Sequence, residues 1–402
     1  MSRAPLRILH VVPYYDDAWA YGGIPRVATA LTRGLARRGH GVSVCTTDAC
    51  DAHARTAVST GTSHGVHVQV FANLSNRLAY HLQCFTPLGL RRHLRQHAGS
   101  FDVAHLHACH NFASTIAAAA LGHAGVPFVV SPNGTARPIE RRILAKRFFA
   151  ATVGRRLLTR SARVLAVTEA ERRDLVGLGV AHERIAVVPN PLEEAPGTGD
   201  AQRFRRAHAL GTAPLVLFLG KLTPRKGIGD LITAYAALRR PATTLVIAGN
   251  DMGAGTAADA LVSRLRLDGR VVRTGLLTGV ERQDALSAAE VVVYPSRDEI
   301  FGLVPLEALL CGRPVVVCGD SGCGEVIRSV GGGLVVPPSD PPALAQAIAA
   351  ILDDGPRWRR LAREAGDRAR ARFGTDVVCA LLERVYLDVL DGDGCHAFPR
   401  SA

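Results

Sequence analysis

Two glutamates in the last third of the chain, Glu299 and Glu307, are separated by seven mostly apolar residues in the stretch DEIFGLVPLEALLCGRPVV, residues 298–316. The pattern predicts a short helix over 303–311 that ends at Gly312, with Glu307 inside it and Glu299 in the loop before it. Carboxylates accept hydrogen bonds from sugar hydroxyls, whereas free backbone amides at a helix start bind phosphate. One carboxylate could therefore hold a ribose and the other a hexose, beside amides that hold phosphate.

The segment FGL, residues 301–303, offers these free amides at the start of the predicted helix. The alternative interpretation of Glu307 is a surface glutamate on a helix. We disfavour it because its neighbours Leu306, Ala308 and Leu309 are apolar, which predicts a buried helix.

Two adjacent cations, Arg225 and Lys226, precede Gly227 at the predicted start of another helix. An arginine fork and a lysine point charge beside a helix N-terminus suit a diphosphate. A solvated pair of charges in a loop is the alternative. The position directly after a strand, where α/β folds bind ligands, favours phosphate binding.

A second candidate for anion binding is the glycine pair Gly22 and Gly23, which stands directly before a helix. Paired glycines let backbone amides approach an anion closely, although a simple turn explains the pair equally well. The segment lacks the G-x-G-x-x-G pattern of dinucleotide-binding folds, which argues against a dehydrogenase.

The elements that would position these residues are short apolar runs that alternate with amphipathic helical stretches. In the first half the runs cover residues 7–12, 42–46, 66–71, 103–107, 127–131, 163–168 and 185–189. After a polar, Pro- and Gly-rich stretch they restart at residues 215–220, 243–249, 270–275, 290–296, 313–317 and 333–337. Continuous apolar strands separated by helices predict parallel sheets covered on both faces, here as two tandem doubly wound, Rossmann-like α/β domains.

We expect an N-terminal domain over 1–190, a linker over 191–202 and a C-terminal domain over 203–375. The length of 402 residues agrees with more than one domain. In doubly wound sheets, ligands bind beyond the carboxyl ends of the strands, which is where the candidate residues fall.

Charge is unevenly distributed along the chain. The net charge is +13, and the segment from Arg137 to Arg163 holds nine basic residues against one acidic residue, a net charge of +8. A basic surface suits nucleic acid, anionic lipid or an acidic substrate, and an arginine-rich composition without a partner is an equally good explanation.

The remaining composition is that of an ordinary globular protein, with 48% hydrophobic and 21% charged residues. No apolar run approaches the roughly 18 residues of a membrane-spanning helix, and the N-terminus enters a strand-like run instead of a signal peptide. Nine scattered cysteines without a C-x-x-C pair indicate reduced thiols. We expect a cytosolic protein, with a peripheral membrane role left open.

A group of potential metal ligands occurs at His105, His107, Cys109 and His110. Alternation along the predicted strand explains the first two histidines without a ligand, and we favour that interpretation. The one Asp-x-Asp sequence, at 391–393, lies in the polar C-terminal tail and is not expected to bind a metal.

Together these motifs resemble the retaining glycosyltransferases of family 4, which have the GT-B fold. The second half contributes GKLTPRKGI, TGLL, YPSRDEIFGLVPLEALLCGRPVV with its Glu-x7-Glu spacing, GDSGCGEVI and GGGLVVPPSDPPALAQAI. The first half contributes YGGIPRVATALTRGLARRGHGVSV, DVAHLH, VPFVVSPNGT and LAVTEAERRDL. The resemblance covers nearly the whole chain. It implies a cleft between the domains and a final helix, 376–391, that packs back on the first domain.

By this resemblance the second domain holds a nucleotide-sugar donor. Arg225 and Lys226 would neutralise the diphosphate, with help from the backbone amides of Gly302 and Leu303. Leu276, after the strand VVRTG, would flank the base.

The same resemblance assigns the two carboxylates. Glu307 would bind the ribose of the nucleotide, and Glu299 the hydroxyls of the transferred sugar. In the first domain, the loop with Gly22 and Gly23 would approach the phosphates when the cleft closes.

One position departs from the family pattern. Many relatives carry a histidine where the segment SPNG has Asn133, and that histidine contacts the donor sugar. Asn133 can donate and accept hydrogen bonds but cannot shuttle a proton at neutral pH. His107 and His110 are candidate substitutes. Catalysis would then depend on positioning and on stabilising phosphate charge, with the leaving diphosphate as base and no metal or other cofactor.

The resemblance implies retaining transfer of a sugar from a nucleotide-sugar donor to a glycan or lipid-linked acceptor, in cell-surface polysaccharide or glycolipid synthesis. The expected location is the cytoplasm or the inner face of the membrane, where the basic segment could contact anionic lipid, and no nucleic acid partner is expected. The alternatives are a GT-B nucleotide-sugar epimerase and a non-catalytic sugar-binding protein. Acceptor-dependent release of the nucleotide separates a transferase from a binding protein.

Overall fold

The computed structural model describes residues 4–51, 53–82, 84–109, 111–136, 154–193, 199–238 and 240–392. Within these ranges the chain forms two compact units. The first contains the residues up to Pro191 together with those from Thr375 onward, and the second extends from Leu192 to Gly374.

Several sequence-based predictions fall outside the described residues. They concern residues 194–198 of the expected linker, His110, Asp393 and the greater part of the basic segment, 137–153.

Eight strands form the sheet of the first unit. They are β1 (Arg7–Val11), β2 (Gly41–Thr47), β3 (Gly61–Ser63), β4 (Val66–Phe71), β5 (Val103–His107), β6 (Phe128–Ser131), β7 (Arg163–Ala166) and β8 (Ile185–Val187). Their order is β3-β4-β2-β1-β5-β6-β7-β8, and every neighbour is parallel except β3, which is antiparallel to β4. The parallel strands are largely buried because helices follow them on both faces.

The helices that follow these strands are α1 (Gly23–Arg37), α2 (Asn76–Leu82), α3 (Leu90–His97), α4 (Phe112–Ala124), α5 (Arg155–Arg160) and α6 (Glu169–Gly177). Side chains cap the starts of α4 and α6. The side chain of Asn111 accepts a hydrogen bond from the amide of Ser114 before α4, and Thr168 caps α6 through the amide of Glu171.

The second unit has six parallel strands in the order β11-β10-β9-β12-β13-β14. They are β9 (Leu215–Leu219), β10 (Thr244–Ala248), β11 (Val271–Gly275), β12 (Val291–Tyr294), β13 (Val315–Cys318) and β14 (Gly333–Val336). The helices are α7 (Ala201–Ala207), α8 (Ile228–Ala237), α9 (Gly255–Arg264), α10 (Gly279–Ala288), α11 (Leu303–Leu310), α12 (Gly322–Val330), α13 (Pro341–Asp353) and α14 (Gly355–Phe373).

The last helix, α15 (Thr375–Leu390), returns to the first unit and packs on α1. The helices approach closely at Gly34, where an added Cβ would lie 2.5 Å from the sulfur of Cys379. An ion pair of 2.6 Å joins Arg38 to Glu383, and the hydroxyl of Tyr386 lies 2.7 Å from Nδ1 of His105. Apolar packing and these polar contacts together hold α15 against the first sheet.

The predicted fold class is confirmed by the two sheets. Each apolar run identified in the sequence overlaps a strand of the structure. The short antiparallel strand β3 was not predicted. In the part of the chain that the structure describes, no helix is both long and apolar enough to cross a membrane.

Candidate functional site

Two loops of the second unit lie side by side because β9 and β12 are neighbours in the sheet. The first contains a 3-10 turn, Pro224–Lys226, and the second follows Tyr294. Gly227 has a φ of +67°, and a Cβ there would collide with the carbonyl oxygen of Pro295, so only glycine allows this approach. The loops are also joined by a hydrogen bond of 2.9 Å from the amide of Arg297 to the carbonyl of Arg225.

A buried cluster of polar side chains lies where these loops meet. The ammonium of Lys226, which is only 5% exposed, contacts Oε2 of Glu299 and donates to the hydroxyl of Tyr294. The same carboxylate oxygen accepts hydrogen bonds from Tyr294, at 3.1 Å, and from Ser296, at 3.0 Å. The cluster therefore combines a cation and an anion that are both enclosed by protein.

The charges in this cluster support each other. Burial alone would raise the pKa of the Glu299 carboxyl, but the charges of Lys226 and Arg225 outweigh it and lower that pKa to about 2. Burial raises the pKa of the Tyr294 hydroxyl well above its ordinary value, and the negative charge of Glu299 adds to the effect. At neutral pH the site thus contains a carboxylate and a neutral phenol.

Arg225 has a different position from its neighbour. Its guanidinium donates to the carbonyl oxygen of Asp298 at 2.9 Å. This contact directs the arginine along the second loop, while Lys226 points to Glu299. The two predicted phosphate ligands therefore contact different groups of the second loop.

The second predicted carboxylate, Glu307, lies on α11. Its Oε2 forms an ion pair with Arg282 of α10, and each side chain is 12% exposed. The helix begins after Gly302, whose φ is +80°, and a Cβ at that glycine would collide with the sulfur of Cys323. Leu303 is therefore the first residue of a helix whose start is set by a close contact with α12.

The predicted base contact, Leu276, follows β11. Its side chain is 43% exposed, which is unusual for a leucine in this unit. The next residue, Leu277, is buried. An exposed leucine on a strand-end loop is available to a planar ligand, and the contact of Leu276 with a base stays a prediction.

In the first unit, the predicted glycine pair precedes α1. Gly22 has a φ of +99°, a conformation that favours glycine, and Gly23 is the exposed first residue of the helix. The backbone at the start of α1 is thus open to an incoming group.

Asn133 lies two residues beyond the end of β6 and has a left-handed φ of +50°. Both polar atoms of its side chain are buried and lack a hydrogen-bond partner among the described residues. The loop is held by Glu171, whose carboxylate accepts from the amides of Gly134, at 2.6 Å, and Val167, at 2.8 Å. Burial raises the pKa of Glu171 to about 7, although these two hydrogen bonds lower it.

His107 is fully buried in β5, and its Nε2 lies 3.0 Å from Nδ1 of His10. Burial lowers the pKa of His107 to about 3, so the ring is neutral. The structure does not favour the predicted role of His107 as a substitute for the family histidine, because the ring is inside the sheet and in contact with another buried residue. Alternation along β5 places His105 and His107 on the same face, where their ring centroids lie 4.2 Å apart, and the explanation without a ligand stays a prediction.

The histidine group differs from the one suggested by the sequence. His10, His105 and His107 bring one ring nitrogen each within 4.8 Å of one another, without Cys109. The ring nitrogens of His105 already lie 2.7 Å from Tyr386 and 2.7 Å from Ser131. Hydrogen bonding within the unit thus accounts for the position of His105.

The structure brings Lys226 and Glu299 into contact in the second unit, whereas the predicted partners of these residues are different parts of a ligand. Tyr294 and Ser296 were missed, although a tyrosine and a serine at the end of an all-valine strand are an unusual feature. Arg282 was also missed. The apolar surroundings of Glu307 imply a cation or hydrogen-bond donors beside it, since a buried carboxylate without a partner is costly, but the sequence does not identify the partner.

Comparison with known proteins supplies the family. Residues 200–372 match the family model described as Glycosyl transferases group 1, and residues 21–196 match Glycosyltransferase Family 4. A D-inositol 3-phosphate glycosyltransferase from Xylanimonas cellulosilytica is 32% identical over 386 residues, which cover 91% of this chain and 91% of that protein. The chain belongs to the group 1 glycosyltransferases.

Other relatives of this group 1 glycosyltransferase agree. Glycogen synthase from Mycobacterium tuberculosis is 36% identical over 229 residues, so the match spans 56% of this chain and about half, 52%, of that relative. HepE from Anabaena in complex with UDP-glucose has a TM-score of 0.76 at 22% identity, covering 95% of this chain and 100% of that one. Sucrose-phosphate synthase from Thermosynechococcus elongatus has a TM-score of 0.76 at 21% identity, covering 97% and 100%. The predictions of a GT-B fold and of a glycosyltransferase are confirmed.

Proposed function

We propose that this glycosyltransferase moves a sugar, with retention of anomeric configuration, from a nucleoside diphosphate donor held by the second unit. The observation that carries the proposal is the enclosed cluster of Lys226, Tyr294 and Glu299 at the carboxyl ends of two neighbouring strands. A cation for phosphate and an acceptor for hydroxyls are the two chemistries that such a donor requires. HepE, whose solved complex contains UDP-glucose, supports this class of donor.

Each charge in the cluster has a proposed partner on the donor. Lys226 and Arg225 bind the diphosphate, together with the amides of Gly302 and Leu303. Glu299 accepts hydrogen bonds from the transferred sugar. Without a donor, the ion pair between Lys226 and Glu299 keeps both groups charged inside the protein, and the donor replaces that contact with phosphate on one side and hydroxyls on the other.

The nucleoside is bound by residues farther along the same unit. Glu307 accepts from the ribose hydroxyls, and Leu276 flanks the base. On the first unit, the open backbone at Gly22 and Gly23 suits a phosphate, and the side-chain amide of Asn133 suits sugar hydroxyls.

The reaction then depends on charge stabilisation and orientation. The acceptor attacks from the side of the leaving group, and the leaving diphosphate takes the proton, because Asn133 cannot do so. Arg225 and Lys226 stabilise the charge that develops on the diphosphate, so the proposal needs no metal or other cofactor.

The acceptor is proposed to be a glycan or a lipid-linked intermediate, in cell-surface polysaccharide or glycolipid synthesis on the cytoplasmic face of the membrane. The net charge of +8 between Arg137 and Arg163 supports contact with an anionic membrane surface. The name of the Xylanimonas relative adds D-inositol 3-phosphate to the acceptors worth testing.

Donor binding is tested by thermal unfolding with a panel of UDP-, ADP- and GDP-sugars. A ligand that binds only the native state raises the melting temperature. We expect at least one donor to do so with the wild-type protein, and to have a much smaller effect on Lys226→Ala. No stabilisation by any nucleotide sugar would contradict the proposal.

A further inference from the structure

Glu307 is held by an arginine from the neighbouring helix. Nη2 of Arg282 on α10 contacts Oε2 of Glu307 on α11, and both side chains are only 12% exposed. Exposed ion pairs contribute little to stability. Removing the cation from an enclosed carboxylate, in contrast, strongly destabilises the folded protein. The pair is therefore part of the interior of the second unit.

The helix that carries Arg282 is itself fixed. Asp284, two residues further along α10, is 2% exposed and accepts from the guanidinium of Arg203 at 2.7 Å. It also accepts from the amide of Asp200 at 2.6 Å. Ala285 and Leu286 are buried on the same helix. Arg282 therefore lies on a helix whose position is fixed by these contacts.

The order of residues along the chain adds a second observation. Leu276, the exposed leucine after β11, lies six residues before Arg282 in the same continuous segment that leads into α10. If Leu276 flanks the base and Glu307 binds the ribose, this one segment contacts the base through Leu276. It also contacts the carboxylate that binds the ribose, through Arg282.

An arginine on one carboxylate oxygen has a chemical consequence. It offsets the cost of enclosing a carboxylate and limits the rotation of Glu307, so that the carboxylate is already oriented when a ligand arrives. Hydrogen bonds from hydroxyls to an ionised carboxylate are stronger than those to a neutral group. Vicinal hydroxyls, such as those at the 2′ and 3′ positions of a ribose, benefit most from an oriented acceptor.

We infer that Arg282 is a positioning residue for the ribose of the donor, acting through the carboxylate of Glu307. This inference depends on the proposed function, because it takes the ligand to be a nucleoside diphosphate. It adds a residue that determines selectivity for ribose over 2′-deoxyribose. Arg282 contacts Glu307 and not the substrate.

The experiment measures binding of UDP, ADP and GDP, each beside its 2′-deoxy form, by isothermal titration calorimetry. The first variant, Arg282→Met, keeps a long side chain but removes the charge. The second, Arg282→Lys, keeps a positive charge and is used if the methionine variant does not fold. Glu307→Gln is the benchmark for loss of the ribose contact. The matched control is Arg203→Met, which removes the cation from the other buried carboxylate pair on α10.

The wild-type protein should prefer the ribose form of its best nucleotide by roughly tenfold or more, the range expected for a hydrogen bond to a charged group. Arg282→Met should reduce that preference to about threefold or less, as Glu307→Gln does, mainly through weaker binding of the ribose form. Arg282→Lys should retain part of the preference. Arg203→Met should retain all of it, because the amide of Asp200 and the buried Ala285 and Leu286 still hold α10.

A preference that survives in Arg282→Met but not in Glu307→Gln would overturn the inference and leave the proposed function intact. Loss of the preference in Arg203→Met as well would show a general loosening of α10, which also overturns it. If the wild-type protein binds nucleoside diphosphates without any preference for ribose, Glu307 does not contact the 2′-hydroxyl, and the inference is overturned. Failure of the wild-type protein to bind any of the three would instead refute the proposed function.

Discussion

Single side chains in the second unit form two enclosed ion pairs, one for each predicted carboxylate. Glu299 contacts Lys226, and Glu307 contacts Arg282. Neither carboxylate is therefore a solvated surface group. In both cases the charge that a donor would need is already present inside the protein, stabilised by an opposite charge from a different element.

The first prediction concerns the two residues proposed to contact the diphosphate and the ribose. Lys226→Ala and Glu307→Ala should each lower the rate of transfer about a hundredfold, because a charged contact made in the transition state contributes ~3 kcal/mol. Steady-state kinetics at saturating donor, with circular dichroism to confirm folding, measure this. Wild-type turnover by either folded variant would contradict the assignment.

The second prediction concerns the tyrosine that the sequence analysis missed. Tyr294→Phe removes the hydroxyl that contacts both Lys226 and Glu299, and kcat/KM for the donor should fall about tenfold. Tyr235→Phe is the control, since it removes a buried hydroxyl that donates to the carbonyl of Thr243 in the same unit. Equal losses in both variants would mean that Tyr294 acts only on stability.

Among the elements, the apolar runs were sufficient to predict the strands, because buried parallel strands are continuous in hydrophobicity. The strand β3 was missed because Gly61–Ser63 is short and polar and pairs only at the edge of the sheet. The contact between Lys226 and Glu299 could not be predicted. It requires β9 to lie beside β12, and the order of strands is a tertiary property that local sequence does not contain.

The loop after β6 gives a prediction for the pH dependence of stability. The pKa of Glu171 is about 7 in the folded protein against an ordinary value of 4.5. A raised pKa means that the folded state binds the proton more tightly, so the contribution of Glu171 to stability is fully present below pH 4.5 and is lost as pH rises towards 7, by on the order of 3 kcal/mol.

Glu171→Gln does not titrate and should remove this dependence. We expect the free energy of unfolding of the wild-type protein to fall relative to the variant between pH 4.5 and 7, as measured by chemical denaturation at several pH values. A difference that stays constant over that interval would show that folding does not raise the pKa of Glu171.

The whole molecule is a chain that builds one unit, then a second, and then returns to the first with α15. The family match extends over both units. The histidine group in the first unit illustrates what sequence could not supply, because His10 joins it from another strand and Tyr386 from the last helix. These contacts depend on residues more than 90 positions apart.

Treatment with EDTA should leave activity largely unchanged, because the cations proposed at the diphosphate are the side chains of Arg225 and Lys226. Activity is measured before and after chelation and dialysis. Complete loss, restored by magnesium or manganese, would contradict the prediction and would direct attention to the group of His10, His105 and His107.

Acceptor-dependent transfer is the most direct test of the central claim. The protein is incubated with the nucleotide sugar that best stabilises it, with and without D-inositol 3-phosphate, glycogen and lipid-linked glycan acceptors. Release of the nucleoside diphosphate is measured together with the anomeric configuration of the product by nuclear magnetic resonance. We predict release only with an acceptor, and a product with the configuration of the donor. Conversion of the donor sugar without any acceptor, a product of inverted configuration, or tight binding without release would contradict the account.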